Sequence, residues 1–113
     1  MANNVLNRTF AACAHPIRRR IIERLAEREM TVGEATGDFP VSKPAISRHL
    51  RVLEEAGAIV RVIDGRQHRL RLAGGALEEA QAWLGRQHAL WELKFDVLDE
   101  YLAEQKERSD ESR

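Results

Sequence analysis

The chain has 113 residues, 43% apolar and 32% charged, proportions of an ordinary globular protein and far from a disordered one. That length supports one domain with a modest core. No apolar run approaches the roughly 18 residues of a membrane span, and the opening MANNVLNRTFAACAHP lacks the basic and apolar regions of a signal peptide. The lone cysteine, Cys13, excludes an intrachain disulfide or a thiolate metal cage, so a cytoplasmic chain is expected.

Zero net charge hides an asymmetry. Met1 to Leu72 carries 13 basic and 8 acidic residues, a net of +5; Ala73 to Arg113 carries 5 and 10, a net of −5. One half is suited to a polyanion and the other to solvent or a partner.

In chain order, Leu6, Phe10 and Cys13 share a face of a short helix over Asn4 to Cys13. Pro16 fits the first turn of a second helix, to Arg28, whose apolar stripe is Ile17, Ile21 and Leu25. Arg18, Arg19, Arg20 and Arg24 lie on its other side. Thr31 and Glu34 have capping-box spacing and open a short third helix, which Gly37-Asp38-Phe39-Pro40 breaks. Ser42 caps a fourth helix with Pro44 in its first turn, where no helical hydrogen bond is lost. Ile46, Leu50 and Leu53 form its apolar stripe, and Pro44, Arg48, Arg51 and Glu55 face away. Gly57 ends it as a left-handed cap.

Two β-rich runs then flank Asp64-Gly65, a strong hairpin signal. In the second, Leu70 and Leu72 alternate with Arg69 and Arg71, one face apolar and one basic. Gly74-Gly75 closes the hairpin. From about 76 to 106 nothing breaks a helix, and Leu77, Leu84, Trp91 and Leu98 recur every seven residues. Such a helix would be roughly 45 Å long, more than one small core can cover, so its apolar rows call for a partner. Residues 107–113 read as a frayed tail.

The order predicts a mainly α fold with a small β-hairpin wing (α+β): a winged helix-turn-helix in one domain over 1–106. The helix-turn-helix spans about 31–57, the wing about 58–73 and a dimerisation helix about 76–106. A helix with a polar face can enter the major groove, where each base pair shows a distinct pattern of donors and acceptors. The preceding helix braces it, and a basic hairpin beside it can follow the phosphates.

The segments RTFAACAHPIRRRIIERL, TVGEATGDFPVSKPAISRHLRVLEEAG, RVIDGRQHRLRL and AWLGRQHALWELKFDVLDEYL also resemble the ArsR family of bacterial winged-helix repressors over nearly the whole chain. The last segment is similar to its metal-independent branch. The resemblance implies a homodimer joined through the first and last helices, by Leu6, Phe10, Leu77, Leu84, Trp91 and Leu98, that binds double-stranded DNA at a palindromic operator. By position it places Ser42, Lys43, Pro44, Ala45, Ser47 and Arg48 in the groove and Arg66 on the wing. Arg51, Arg69 and Arg71 are candidates for phosphate, and His68 on the wing suits either a phosphate approach or a plain surface role. Two departures stand out. His15 replaces the usual aspartate before Pro16, which predicts a looser helix start, and Arg20 replaces a usual small residue.

The stretch MTVGEATGDFP holds no cysteine, which argues against thiolate metal sensing. His88, Glu92 and Asp96 stand four residues apart on one face, a spacing that suits a solvated ion-paired stripe and also three metal ligands. The D-x-H pattern of the zinc relatives is absent. No metal and no cofactor is expected, and Cys13 is read chiefly as a small apolar group. His49 reads as a packed, hydrogen-bonded histidine. No nucleophile elbow, phosphate-cradling loop or H-E-x-x-H is present, so no enzyme is expected. The competing readings are a winged helix that binds proteins, and a repressor gated by an organic ligand, an oxidant or the His/Glu/Asp cluster. The inducer, if any, is not legible in the sequence.

Overall fold

The computed structural model describes residues 4–111. In chain order the elements are α1 (Asn4–Ala12), α2 (Pro16–Glu27), β1 (Met30–Thr31), α3 (Val32–Thr36), α4 (Lys43–Glu55), β2 (Ile59–Asp64), β3 (Gln67–Leu72) and α5 (Gly74–Glu111). The chain forms two compact units, Met1–Ala80 and Gln81–Arg113. No helix among the described residues is long and apolar enough to cross a membrane.

The first unit is built around one cluster. Ile21 and Leu25 of α2, Leu50 and Leu53 of α4, Ile59 of β2 and Leu70 of β3 are buried together with Met30 and Ala35. The stripes read from the sequence are therefore the faces that close this core. Local chemistry fixes the helix ends. Thr31 Oγ1 accepts from the Glu34 N–H and the Glu34 carboxylate accepts from the Thr31 N–H, a complete capping box. At the end of α4, Gly57 has φ 75°. Its N–H donates to Glu54 O and that of Ala58 to Leu53 O, both at 3.0 Å. This is the Schellman arrangement, which satisfies two carbonyls of the last turn and needs a residue free to adopt positive φ.

Several expectations change. His15 is a working N-cap rather than a loose one: its Nδ1 accepts from the Ile17 N–H at 3.1 Å. A ring nitrogen at this position does what an aspartate oxygen would do. The two-residue strand β1 was not expected. It pairs antiparallel with β3, Met30 with Leu70 and Thr31 with Arg69, so β3 is the middle strand of a three-stranded sheet of order β1-β3-β2. The hairpin turn is centred one residue later than Asp64-Gly65. Asp64 pairs with Gln67, leaving Gly65-Arg66 as the loop. Gly65 alone has positive φ, 62°, as in a type II′ turn with glycine first.

The last helix starts at Gly74, two residues early, and runs to Glu111, so most of the expected tail is helical. Gln105, Lys106, Glu107 and Arg108 are good helix formers and nothing in the segment breaks the pattern. Residues 112–113 lie outside the described residues. Ala76 and Ala80 of this helix are buried and Leu77 packs on the core cluster.

Candidate nucleic-acid interface

Ser42 Oγ accepts from the Ala45 N–H at 3.3 Å, and Pro44 stiffens the same turn. The start of α4 is thereby fixed as a platform. Ser42, Lys43, Pro44, Ser47, Arg48 and Arg51 are exposed on it and Ala45 is half-buried, while Leu50 and Leu53 anchor the opposite face in the core. On the wing, Arg66, His68 and Arg71 are exposed and Arg69 is half-buried. Arg69 is committed elsewhere: its Nε donates to Glu29 Oε1 at 3.3 Å.

The distribution of ion pairs separates two kinds of arginine. Arg20, Arg24, Arg28, Arg61 and Arg69 each pair with a carboxylate. Arg24 is the most embedded of these. It donates to both carboxylate oxygens of Asp38 at 2.7 and 2.8 Å and to Ala35 O at 2.8 Å, and its guanidinium stacks 4.6 Å from the Phe39 ring centre. It thereby ties α2 to the turn ahead of α4 and holds the Asp38 carboxyl below its usual range. By contrast Lys43, Arg48, Arg51, Arg66 and Arg71 make no ion pair among the described residues. All five lie on α4 or the wing. Arg8, Arg18, Arg19 and the lysines and arginines of α5 also lack a carboxylate partner among the described residues, but only on α4 and the wing do such cations gather where a polyanion was expected.

Two grooves join these elements. One, of about 470 Å³, has Phe39, Val41 and Leu50 among its lining, with Lys43 and Ser47 of α4 and Arg61 of β2. The other, of about 410 Å³, brings Arg61, Arg66, Gln67 and His68 against Thr31 and Gly33.

Sequence reasoning singled out His49 but not its partners. Arg18 donates through Nη1 to His49 Nδ1 at 3.1 Å, through Nε to Ala12 O at 2.7 Å and through Nη2 to Ala11 O at 3.1 Å. The His15 and His49 rings lie 4.3 Å apart. One guanidinium thus joins the end of α1, the start of α2 and the back of α4. Burial, then the nearby His15, Arg18 and Arg48, push the His49 pKa below its ordinary 6.5. The unfolded chain therefore takes up this proton first as pH falls, and stability rises with pH. Stability is expected to be full above about pH 6.5, to decline as pH drops below that value, and to level once the folded state is also protonated. Urea midpoints across this range should fall by less than one proton's worth, and His49→Gln should flatten the profile. The depressed carboxyls of Glu34 and Asp38 act separately, below about pH 4.5. An unchanged slope in the variant would remove His49 as the cause.

The expected dimer residues divide. Leu6 is 7% exposed, used by its own chain, and Leu77 is half-buried on the core. Phe10 lies at the surface at 36% exposure. In the second unit Leu84, Trp91 and Leu98 are exposed, as are Leu90, Phe95, Val97 and Leu102 on the same helix. His88 donates from Nε2 to Glu92 Oε1 at 2.9 Å on an exposed face. His88, Glu92 and Asp96 do not form a metal-holding group among the described residues. Cys13 is half-buried and free.

Comparison with known proteins agrees with this geometry. A family model described as bacterial regulatory protein, arsR family, matches residues 15–60. The HTH-type transcriptional regulator Rv2034 of Mycobacterium tuberculosis is 50% identical over 50 residues, covering 44% of this chain and 47% of that protein. The transcriptional repressor SdpR of Bacillus subtilis is 41% identical over 54 residues, 48% of this chain and 60% of that one. The matches thus span about half the length of these curated relatives. A crystal structure of the ArsR family transcriptional regulator RHA00566 superposes with a TM-score of 0.73 at 32% identity, covering 79% of this chain and 98% of that one. With the winged helix-turn-helix observed and a solved ArsR-family regulator matched at 32% identity over 98% of its length, the chain belongs to the ArsR family of bacterial regulatory proteins.

Proposed function

We propose that this protein is a sequence-specific DNA-binding transcriptional regulator, a cytoplasmic homodimeric repressor that reads a two-fold operator with α4 in the major groove and the wing on the flanking backbone. The observation that carries the reading is the clustering of Lys43, Arg48, Arg51, Arg66 and Arg71 on α4 and the wing, none of which makes an ion pair among the described residues. Lys43 and Arg48 have the donors to pair with guanine O6 and N7, and Pro44 or Ala45 can touch a thymine methyl. Arg51, Arg66 and Arg71 suit phosphates. Arg69 and His68 are each held by another side chain, Glu29 and Arg61, and would have to exchange partners to serve. Repression follows the Bacillus subtilis relative, itself a transcriptional repressor.

Fluorescence anisotropy against the DNA upstream of its own gene, and against sites selected from a random pool, tests this. Wild-type binding should be selective, with a log–log salt slope of about −4 to −8. Arg48→Ala should weaken selective binding by about 1–3 kcal/mol, roughly 5- to 150-fold, without changing the urea midpoint. Equal affinity for every sequence, or an Arg48→Ala variant that binds as tightly as wild type, would sink the proposal and leave a protein-binding winged helix.

A further inference from the structure

The inward face of the wing carries a residue that sequence reasoning passed over. On β2, Ile59, Arg61 and Ile63 point to one side, opposite Leu72, Leu70 and His68 of β3. Ile59 and Leu70 are buried at the root of the wing. Arg61 stands between the buried root and the exposed tip. Its Nη2 and Nε both donate to Glu54 Oε1, at 2.6 and 3.1 Å, and its Nη1 lies 3.2 Å from His68 Nδ1. An arginine has only donors, so the imidazole accepts at Nδ1. Glu54 belongs to the last turn of α4 and His68 to the outer part of β3. The side chains of Arg61 and Glu54 are only 27% and 33% exposed, so the pair is less screened than an ion pair on the open surface. Arg61 also lines both grooves described above, beside Lys43 and Ser47 in one and Arg66 and His68 in the other.

We propose that Glu54, Arg61 and His68 form a strut that sets the angle of the wing on α4, which makes Arg61 a positioning residue for DNA binding that does not itself touch DNA. The planar guanidinium suits this role because its donors leave in fixed directions, one edge to each element. A lysine keeps the charge and loses that geometry. The strut rests on the DNA-binding reading: it determines whether α4 and Arg66 meet the operator together.

The test is a double-mutant cycle on the full chain, read by anisotropy on the selected operator. Arg61→Met should lower affinity roughly tenfold. In that background Arg66→Ala should have little further effect, because an unplaced wing has no contact left to lose, whereas Arg48→Ala should keep its full effect. Glu54→Gln should reproduce the Arg61→Met loss, and Arg61→Lys should not rescue it. Helix content and urea midpoint guard against a simple folding defect, and ¹⁵N relaxation at Gln67 and His68 should show greater wing motion in Arg61→Met without DNA. Arg61→Met binding as wild type would overturn the strut. So would strictly additive losses with a salt slope reduced by about two, one for each subunit of the dimer, because Arg61 would then be a phosphate contact. A wild-type chain with no selectivity would overturn the DNA reading and the strut's purpose with it. Unchanged wing relaxation would overturn the strut alone.

Discussion

Trp91→Glu combined with Leu98→Glu is expected to yield a monomer whose winged-helix unit stays folded and whose operator affinity falls by roughly 10²- to 10⁴-fold. The second unit is one helix with Leu84, Trp91 and Leu98 in a seven-residue row, flanked by Leu90 and Val97 on one side and Phe95 and Leu102 on the other, all exposed. Trp91 is 62% exposed, and its ring lies 5.2 Å from that of Phe95. A continuous apolar surface of this size seeks cover. The α5 helix has 38 residues, about 57 Å at the usual rise, while its first turns are what the core takes up. A second copy is the occupant that fits the proposed function, because a single α4 in a groove would read only a few base pairs and a two-fold pair would double the site. Linking two readers makes the second contact intramolecular, which is where the expected loss arises. Glutamate is a good helix former, so the substitutions remove apolar surface without unwinding the helix. Sedimentation velocity and anisotropy on one preparation provide the check. A double variant that stays dimeric would move the interface elsewhere, and a monomer that binds as tightly as wild type would end the two-fold reading.

Leu53→Ala should act on stability instead, lowering it by about 2–5 kcal/mol. Leu53 has no exposed surface and lies in the cluster shared by α2, α4 and the sheet. Truncation removes buried methyls and leaves a cavity among neighbours on three elements, which relax only in part. Against a total of about 5–15 kcal/mol, that is a large share. Urea unfolding at fixed protomer concentration measures it, with the concentration held because the proposed dimer would feed into apparent stability. Folded Leu53→Ala should still bind the operator when stabilising solutes restore the native state. A midpoint unchanged within error would mean that Leu53 is not packed as described. The pair Arg48→Ala and Leu53→Ala, five residues apart on one helix, thus separates its two faces: one loses affinity, the other stability.

What was legible in the sequence was chemistry at short, fixed spacing. The stripe of Ile17, Ile21 and Leu25, the Thr31–Glu34 box, the Ser42 cap and Gly57 after α4 are each determined within a few residues, and the structure realises each. What was not legible depends on the distant chain. β1 is two residues long and has no periodicity to detect; it is a strand only because Leu70 and Arg69 lie beside it. Arg24 and Asp38, Arg18 and His49, and Arg61 with His68 were all visible as charged or polar residues, but which arginines are spent on internal partners and which are spare is decided by tertiary contact. The aspartate–glycine signal located the hairpin and misplaced its turn by one residue. The end of α5 was set too early because a polar segment without breakers is compatible with either helix or tail.

The minor strand β1 also makes the wing mechanically graded. β3 is flanked on both sides only as far as Thr31 opposite Arg69. Beyond that point, Ile63 and Asp64 against His68 and Gln67 make a two-stranded ribbon with no third strand, tied back through the Arg61–His68 contact and with Ile63 65% exposed. Such ribbons are marginal in water by themselves. The free energy of local opening should therefore fall along the hairpin, from near the global value at Leu70 to near zero at Gly65. The root is stiff and the tip compliant. A finger of this kind could follow grooves of different width by bending near its end, while α4 at its base keeps its seat.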